Sequence, residues 1–252
     1  MLAVKIRNIE LGTGIPKICV PLTGKTAPEI EAELHRMKEG TFDLIEWRAD
    51  KFEALQNLTE LSAAAFMIRK AFPEKPLIFT IRTKNDMEDF EISDSVYRNI
   101  NLSVSEHRLA DLIDLEFSRG AEFVRDFIRT ARPHGTKFIC SCHLKNSTPS
   151  VEEMLRILFS MAETGSDLVK LAVLPQSKRD VLDLMDATLR FSESGCNTPV
   201  ITMSMGKTGV LSRISGSLTG SCLTFGTIGA ASAPGQPECG RLAGILDLLG
   251  TD

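Results

Sequence analysis

The chain has 252 residues, of which 43% are hydrophobic and 25% charged, a balance typical of a globular protein with a sizeable core. Its 33 Asp and Glu residues outnumber its 29 Lys and Arg residues, and no stretch combines basic with aromatic residues as a nucleic-acid groove requires. No run approaches the roughly 18 apolar residues of a membrane span, and the N-terminus lacks the apolar core of a signal peptide. We therefore predict a cytoplasmic protein with no nucleic-acid or membrane partner.

Six cysteines are scattered along the chain, without a Cys-x-x-Cys pair or a histidine cluster at zinc-ligand spacing. Several lie inside apolar runs, which favours reduced cysteines in the core. The sequence therefore predicts no metal site.

Short apolar runs alternate with amphipathic helical stretches along the whole chain. After residues 1–15, an expected hairpin, the predicted strands are 17–22, 43–48, 76–82, 112–117, 137–143, 167–174, 199–205 and 221–226. The predicted helices are 28–40, 58–72, 93–110, 121–135, 149–165, 178–195, a short one at 209–216, and 238–250. Most of them end at Gly or at a turn that contains Pro, as helices tend to do.

Eight repeats of strand then helix favour a parallel sheet closed into a (β/α)8 TIM barrel. No linker or low-complexity segment divides the chain, so we predict a single barrel domain over residues 1–252. The N-terminal β-hairpin is an extension that we place across the lower end of the barrel. An open, doubly wound sheet is the alternative.

Charged residues recur on one face of the predicted strands, while the other face of each strand is apolar. In a barrel the apolar face packs under the helices and the other face lines the interior. The interior set is Glu46, Arg48, Arg82, Asp114, Glu116, His143 and Lys170, joined by Met203 and Met205. Burying unpaired charges costs roughly several kcal/mol per ion, so the set indicates a ligand site. A network of core ion pairs that fixes strand register is the alternative for its carboxylates and Arg48.

Lys170 lies inside an apolar strand, where desolvation disfavours the ammonium and favours the neutral, nucleophilic amine. Such an amine can form a Schiff base with a ketone. The alternative is a structural lysine paired with Glu46 or Glu116. His143 ends the preceding strand and is therefore predicted to lie beside Lys170, where an imidazole can transfer protons near neutral pH.

Two turns near the C-terminus are candidates for ligand contacts. The segment GKTG (206–209) precedes the short helix and could bind an anion through backbone amides, although it lacks the glycine spacing of a P-loop. The segment SAPGQ (232–236) follows the eighth strand, where barrel loops meet ligands, but it is also ordinary turn chemistry.

Together these motifs resemble those of the type I 3-dehydroquinate dehydratases of the shikimate pathway. The stretches that carry the resemblance are EWRAD (46–50), FTIR (79–82), DLE (114–116), His143, KLAVLPQS (170–177), ITMSMGKTGVLSR (201–213) and TFG with SAPGQ (224–236). They span nearly the whole chain in the family's order and spacing.

The resemblance implies a hydro-lyase that removes water from 3-dehydroquinate by syn elimination, without a cofactor, on the route to chorismate and the aromatic amino acids. It further implies a cytoplasmic homodimer. Lys170 forms the imine with the substrate ketone, and His143 is the general acid and base.

The same resemblance assigns the substrate contacts. The carboxylate is bound by Arg213, Ser232 and Gln236, a role that suits the forked guanidinium of an arginine. The ring hydroxyls and the charge balance around the lysine fall to Glu46, Arg48 and Arg82. Met203 and Met205 pack against the ring, although filling the core is the alternative for both methionines.

The chain departs from the family's pattern at Asp86, at Pro21 and at the residues that flank His143, which read SCHLK where Asn before and Asp after the histidine are commoner. Asp86 stands where the family has a glutamate that orients the catalytic histidine, so the expected partner of His143 is Asp86 or, in its place, Glu88. Pro21 replaces a serine of the first strand. Two other functions stay open: another Schiff-base barrel enzyme such as a class I aldolase, and a weakened relative that binds the substrate as a sensor.

Overall fold

The computed structural model describes residues 2–86, 89–229 and 235–250. Its strands are β1 (Val4–Ile6), β2 (Ile9–Leu11), β3 (Lys17–Leu22), β4 (Leu44–Arg48), β5 (Leu77–Thr80), β6 (Leu112–Glu116), β7 (Lys137–Leu144), β8 (Leu168–Val173), β9 (Val200–Ser204) and β10 (Leu223–Phe225). Its helices are α1 (Ala27–Met37), α2 (Leu58–Ala71), α3 (Asp94–Glu106), α4 (Ala121–Ala131), α5 (Val151–Ala162), α6 (Lys178–Glu193), α7 (Val210–Ile214), α8 (Gly216–Thr219) and α9 (Cys239–Leu249).

Strands β3 to β10 form one parallel sheet of eight strands, in the order β10-β3-β4-β5-β6-β7-β8-β9. A parallel bridge between Val200 and Ser221 joins β9 to the start of the β10 segment and closes the sheet on itself. The predicted (β/α)8 barrel is confirmed, and the alternative of an open doubly wound sheet is wrong.

The observed elements differ from the predicted ones mainly at their ends. Strand β5 ends at Thr80, so Arg82 lies in the loop that follows instead of in the strand. The single short helix predicted at 209–216 is two, α7 and α8, which meet at Ser215. Hydrogen-bonded pairing ends a residue or two before the apolar pattern does, because loop residues near the sheet are buried as well.

Side-chain caps fix where most of the helices begin. Asn57, Ser93 and Ser150 each accept a backbone N–H of the first turn of the helix that follows. Helix α6 starts with a capping box, in which Ser177 and Asp180 bind each other's backbone N–H. These caps satisfy amide groups that would otherwise lack partners, and they hold the helices around the sheet.

The alternation of side chains along the strands produces two separate cores. The outer core lies between sheet and helices and contains Ile45, Trp47 and Phe79. The inner core fills the barrel and contains Leu44 and Ile78, the neighbours of those residues along the strands. The predicted division of each strand into an outer apolar face and an inner face is confirmed.

The N-terminal hairpin closes one end of the barrel. Strands β1 and β2 pair antiparallel, and Ile6 and Leu11 belong to the inner core. They pack there with residues at the start of the barrel strands, such as Leu44 and Leu112. The predicted hairpin across the lower end is confirmed, and its apolar side chains cover the barrel interior at that end. Within the described residues, no helix is both long and apolar enough to span a bilayer.

Candidate active site

A layer of polar side chains lies next to the apolar inner core, on the same strands. The inner-core residues in question are Leu44, Ile78, Leu112, Ile139 and Leu168. The members of the polar layer are two residues further along each strand, and all are buried: Glu46, Thr80, Asp114, Ser141 and Lys170. They lie toward the carboxyl ends of the strands, the end at which barrel enzymes build their sites. The polar faces predicted for the second to sixth strands therefore converge in one place.

Lys170 is only 4% exposed and lies between two carboxylates. Its Nζ is 3.3 Å from Glu46 Oε1 and 3.5 Å from Asp114 Oδ2, and it sits 4.5 Å from the centroid of the Phe225 ring. Glu46 also accepts a hydrogen bond from Thr80 Oγ1 at 3.1 Å. An ion pair with Glu46 was the structural alternative for Lys170. The pair exists, and the second partner is Asp114 instead of Glu116.

Arg82 connects Asp114 and Ser141 of the polar layer with Asp86 in the loop after β5. One terminal nitrogen donates to Asp114 at 2.8 Å, and the other donates to Asp86 and to Ser141, each at 3.0 Å. Although burial opposes the charged form, the carboxylates of Asp114, Asp86 and Glu116 raise the pKa of Arg82 well above its ordinary value. Arg82 is therefore a permanent cation held by protein groups.

Asp114 carries the negative charge at the centre of the layer. Burial alone would raise its pKa, but the positive charges of Arg82 and Lys170 and a hydrogen bond from Ser141 hold the pKa well below the ordinary value. Asp114 therefore stays ionised, which gives the two cations a shared partner.

His143 contacts Asp86 directly. The Nδ1 of His143 is 2.8 Å from Asp86 Oδ2, so the shorter carboxylate reaches the ring, and Glu88 lies outside the described residues. Burial, together with the charges of Arg82 and Lys170, lowers the pKa of His143 well below its ordinary value of 6.5. The ring is therefore neutral at neutral pH, with Nδ1–H donated to Asp86 and Nε2 left as the basic nitrogen.

Asp86 itself is almost completely buried. Burial raises its pKa, although the charge of Arg82 and a hydrogen bond from Ser118 act in the opposite direction. The contacts with Arg82 and His143 thus fix this carboxylate on two sides.

Arg213 has a different environment from the other cations of the site. It is 3% exposed, and the one contact found for its guanidinium among the described residues is with Met203 Sδ at 3.9 Å. Its Nε is buried without a hydrogen-bond partner in the same part of the chain. Burial lowers the pKa of Arg213 to about 10. A buried guanidinium without a carboxylate is costly, and a bound anion would remove that cost.

Of the remaining predicted site residues, the structure describes all except Ser232. Arg48 pairs with Asp50 at 2.8 Å, and Met203 and Met205 belong to the inner core. Gln236 follows Gly235 in the last loop. A Cβ added to Gly235 would lie 2.3 Å from Gly206 O, so this part of the loop lies against the turn after β9. Ser232 lies outside the described residues.

The GKTG segment has a packing explanation. A Cβ on Gly209 would lie 2.0 Å from Ser204 O, so only glycine fits there. The helix that follows, α7, has five residues. Anion binding by this turn stays a prediction.

Three residues of the site receive no role from the sequence alone. Asp114 and Ser141 are on the predicted interior face, but their contacts with Lys170 and Arg82 depend on strand register. Phe225 lies beside the Lys170 amine. Alternation along the eighth predicted strand, which places Phe225 on the same face as Leu223, is the signal that could have found it.

Among the described residues, no group of three or more His, Cys, Asp or Glu side chains is arranged to hold a metal ion. All six cysteines are free thiols. The site that the structure builds is thus an amine, an imidazole and a guanidinium supported by carboxylates.

Comparison with known proteins gives consistent matches over almost the whole chain. Residues 18–252 match the family model described as type I 3-dehydroquinase. The 3-dehydroquinate dehydratase of Syntrophotalea carbinolica is 43% identical over 99% of this chain and 98% of its own, and that of Klebsiella pneumoniae is 42% identical over 98% of each.

Solved structures agree with the sequence matches. The type I 3-dehydroquinate dehydratase of Clostridium difficile, solved with covalently modified comenic acid, superposes with a TM-score of 0.93 at 40% identity, over 98% of this chain and 97% of the other. The 3-dehydroquinate dehydratase of Geobacillus kaustophilus superposes with a TM-score of 0.94 at 32% identity, over 98% and 96% of the two chains.

Proposed function

Since this chain belongs to the type I 3-dehydroquinase family, we propose that it dehydrates 3-dehydroquinate to 3-dehydroshikimate through an imine on Lys170. Enzymes of this kind are hydro-lyases of the Schiff-base class. The observation that carries the proposal is that His143 lies on β7 and Lys170 on the neighbouring strand β8, where Ser141, two residues before His143, pairs with Lys170.

Lys170 is the nucleophile. The neutral Nε2 of His143 takes a proton from the ammonium, and Nζ then attacks the ring ketone to form a carbinolamine. The imidazolium returns the proton to the carbinolamine hydroxyl, which leaves as water and gives a protonated imine. This iminium carries one positive charge on the same nitrogen as the ammonium of the free enzyme. Glu46 and Asp114, at 3.3 and 3.5 Å from Nζ, therefore face a positive charge on this nitrogen both in the free enzyme and in the iminium.

His143 moves the proton. The iminium acidifies the adjacent C–H, and the neutral Nε2 of His143 takes that proton to leave an enamine. The imidazolium then returns the proton to the hydroxyl on the next carbon, which departs as water while the enamine electrons restore the iminium. Because one residue handles both transfers, they take place on one face of the ring, which is syn elimination. Hydrolysis of the imine releases the product and regenerates Lys170.

Asp86 orients this base. Its contact with Nδ1 selects the tautomer that has a free Nε2, and it stabilises the imidazolium that forms in the first transfer. The missing methylene relative to the family's glutamate does not open a gap, since the oxygen and the nitrogen are 2.8 Å apart. This contact argues against a binding-only relative.

Arg213 binds the substrate carboxylate, because its buried guanidinium has no carboxylate within the described residues. Gln236 and Ser232 complete this end of the site. Glu46 and Arg48 bind ring hydroxyls, and Met203 and Met205 pack against the ring. Arg82 donates to Asp86, Asp114 and Ser141, so its role is to position Lys170 and His143 rather than to contact the substrate.

The broader setting follows from family membership. We assign the protein to the shikimate pathway, on the route to chorismate and the aromatic amino acids, as a single-domain barrel that acts as a cytoplasmic homodimer without a cofactor. Light scattering on the purified protein tests the dimer, which should have twice the mass of one chain.

Trapping with borohydride tests the chemistry. The protein is incubated with 3-dehydroquinate and sodium borohydride, weighed by mass spectrometry and digested, with the Lys170→Ala variant as the matched control. We expect rising enone absorbance without borohydride, and with it a reduced secondary amine on the peptide that contains Lys170. An adduct without turnover would favour the sensor, and an adduct on another lysine would exclude Lys170 as the nucleophile.

A further inference from the structure

A second cavity lies at the opposite end of the barrel from Lys170. It has a volume of about 470 Å³ and is lined by the turn of the N-terminal hairpin and by the segments that lead into β6 and β7. The hairpin closes this end, so the cavity has no connection to the polar layer through the barrel interior. Nothing in the proposed dehydration uses it.

The cavity is strongly basic. Its charged and titratable lining residues are Lys5, Arg7, Arg108, His134, Lys137 and one carboxylate, Asp111. That carboxylate is already occupied: one oxygen accepts Arg7 Nε at 2.7 Å, and the other accepts Arg69 at 2.6 Å and the backbone N–H of Leu77 at 2.8 Å. The lining therefore has an excess of positive charge.

Two of the cations differ from the rest in their surroundings. Within residues 2–86, 89–229 and 235–250, no hydrogen bond or ion pair is found for the side chain of Lys5 or of Arg108. Lys137, by comparison, lies 3.1 Å from Asp167, and Arg7 lies against Asp111. Lys5 and Arg108 are thus available to a ligand in the cavity.

Arg7 occupies a backbone position that suits glycine. It is the first residue of the two-residue turn between β1 and β2, and its φ is +53°. A hairpin turn with positive φ at its first central residue normally carries glycine there, because a Cβ is disfavoured in this conformation.

Arg108 occupies a second position of the same kind. It follows the C-cap of α3 with a φ of +53°, and the N–H of Leu109 bonds back to Val104 O at 3.0 Å, which is the pattern of a Schellman motif. Glycine is the usual residue at that place in the motif.

The two arginines are the only non-glycine residues with positive φ in the described part of the chain, and both line this cavity. Residues in strained backbone conformations are often found at functional sites, where the interactions of the side chain offset the conformational strain. Arg7 has a structural use in its pair with Asp111. Among the residues that the structure describes, the side chain of Arg108 has no such partner, and a bound ligand would supply one.

We propose that this cavity binds a small metabolite that bears a phosphate group. Arginine matches phosphate oxygens with two parallel donors, and lysine adds a compact charge, so Arg108 and Lys5 suit phosphate oxygens. The positive charges of Arg7 and Lys137 line the same cavity, which favours a multiply charged phosphate over a single carboxylate. The volume admits more than the phosphate alone. The ligand contacts the turn of the N-terminal hairpin and the segments that lead into β6 and β7, and it thereby connects the hairpin to the barrel.

Calorimetry with pyrophosphate as the probe tests the proposal. The wild-type chain is compared with Arg108→Gln, which removes the charge but keeps a side chain on the same backbone, and with the control Arg179→Gln, where the lost arginine is 79% exposed on α6. We expect Arg108→Gln to weaken binding at least about tenfold, as the loss of a charge-assisted contact does, and the control to leave it unchanged. Equal affinity in all three proteins would overturn the proposal.

The catalytic site could also attract an anion, so its contribution is measured separately. Arg213→Gln should keep the wild-type affinity for pyrophosphate, and loss of binding in this variant would place the anion at the catalytic end instead. Citrate is the carboxylate counterpart in the same titrations. Tighter binding of citrate than of pyrophosphate would contradict the phosphate class.

The Arg108→Gly variant separates ligand binding from folding. Glycine relieves the left-handed backbone, so this variant should melt at the same or a higher temperature than the wild type while it loses pyrophosphate affinity. A lower Tm without a loss of affinity would show that the arginine is kept for stability, and the proposal would be wrong.

Discussion

Two layers of the barrel interior differ in chemistry although the same strands build them. The lower layer contains Leu44, Ile78, Leu112, Ile139 and Leu168, all apolar and at most 1% exposed. Two residues further along each of these strands lies the polar layer described above, which is the upper layer and contains Glu46, Thr80, Asp114, Ser141 and Lys170. A shift of about 7 Å along a strand thus separates a hydrophobic floor from a charged site.

The difference shows how one barrel provides both stability and chemistry. The lower layer is stabilised by burial of apolar surface and by the hairpin side chains packed below it. The upper layer contains three charged side chains, Glu46, Asp114 and Lys170, which tolerate burial because they are paired with one another and with Arg82 from the loop after β5. We expect substitutions in the lower layer to change stability, and substitutions in the upper layer to change catalysis first.

The largest effect is expected from Lys170→Ala. Turnover should fall by at least about 10⁴-fold, as it does when a covalent nucleophile is removed from an enzyme. The variant should remain folded but less stable by roughly 3 kcal/mol, because Glu46 and Asp114 lose a buried partner. Steady-state kinetics and urea unfolding measure both quantities, with the exposed Lys70→Ala as control. A variant that unfolds would make the lysine mainly a structural ion-pair partner.

The complementary effect is expected from Leu112→Ala in the lower layer. Removal of this fully buried side chain should reduce the free energy of unfolding by about 2–5 kcal/mol, while kcat of the folded fraction changes little. Urea denaturation checks the loss. Leu182→Ala, at a leucine that is 50% exposed on α6, is the matched control and should change stability by less than about 0.5 kcal/mol. A large fall in kcat for Leu112→Ala would mean that the two layers are not separable.

A smaller effect is expected from Asp86→Glu, which restores the residue usual in the family. Because Asp86 already reaches His143 at 2.8 Å in a site that is 2% exposed, an extra methylene must displace one of the two. We expect kcat to fall roughly tenfold, a loss of about 1.4 kcal/mol, with Asp86→Asn as the comparison that removes the charge instead. An unchanged or higher kcat would show that the aspartate holds the base imperfectly.

The smallest effect concerns pH. Burial holds the pKa of His143 well below 6.5, whereas the unfolded chain takes up its proton near that pH, so the unfolded state binds more protons as the pH falls below 6.5. The contribution of His143 to stability is therefore complete above pH 6.5 and decreases below it, by at most about 1.4 kcal/mol per pH unit. Unfolding free energies of wild type and His143→Gln between pH 7 and pH 5 measure the difference. A steeper slope in the variant would contradict the sign.

The sequence predicts the two layers because side chains alternate strictly along a strand. That alternation by itself places Glu46, Asp114 and Lys170 on one face of their strands, and their burial above the inner core confirms it. The hairpin is expected within residues 1–15 as an extension before the first barrel strand, and the observed pairing of β1 with β2 lies inside those bounds.

The contacts within the upper layer are beyond prediction because they depend on the register between strands. Ser141 lies opposite Lys170, yet its hydroxyl bonds to Asp114, and Arg82 reaches Ser141 from the loop after β5. No pattern in a single strand encodes these offsets. The sequence does not decide between Asp86 and Glu88 as the partner of His143. The observed partner, Asp86, lies in a loop, and alternation along strands does not predict the path of a loop.

The closure of the barrel has a consequence for how the enzyme is synthesised. Strand β10 pairs with β3, which lies far from it in the sequence, and meets β9 through the bridge between Val200 and Ser221. Contacts between such distant segments form late, since they carry the largest cost of loop closure. A growing chain on the ribosome therefore contains Lys170 and His143 before the ring of strands can close around them, and it acquires a working site only after β10 has been synthesised.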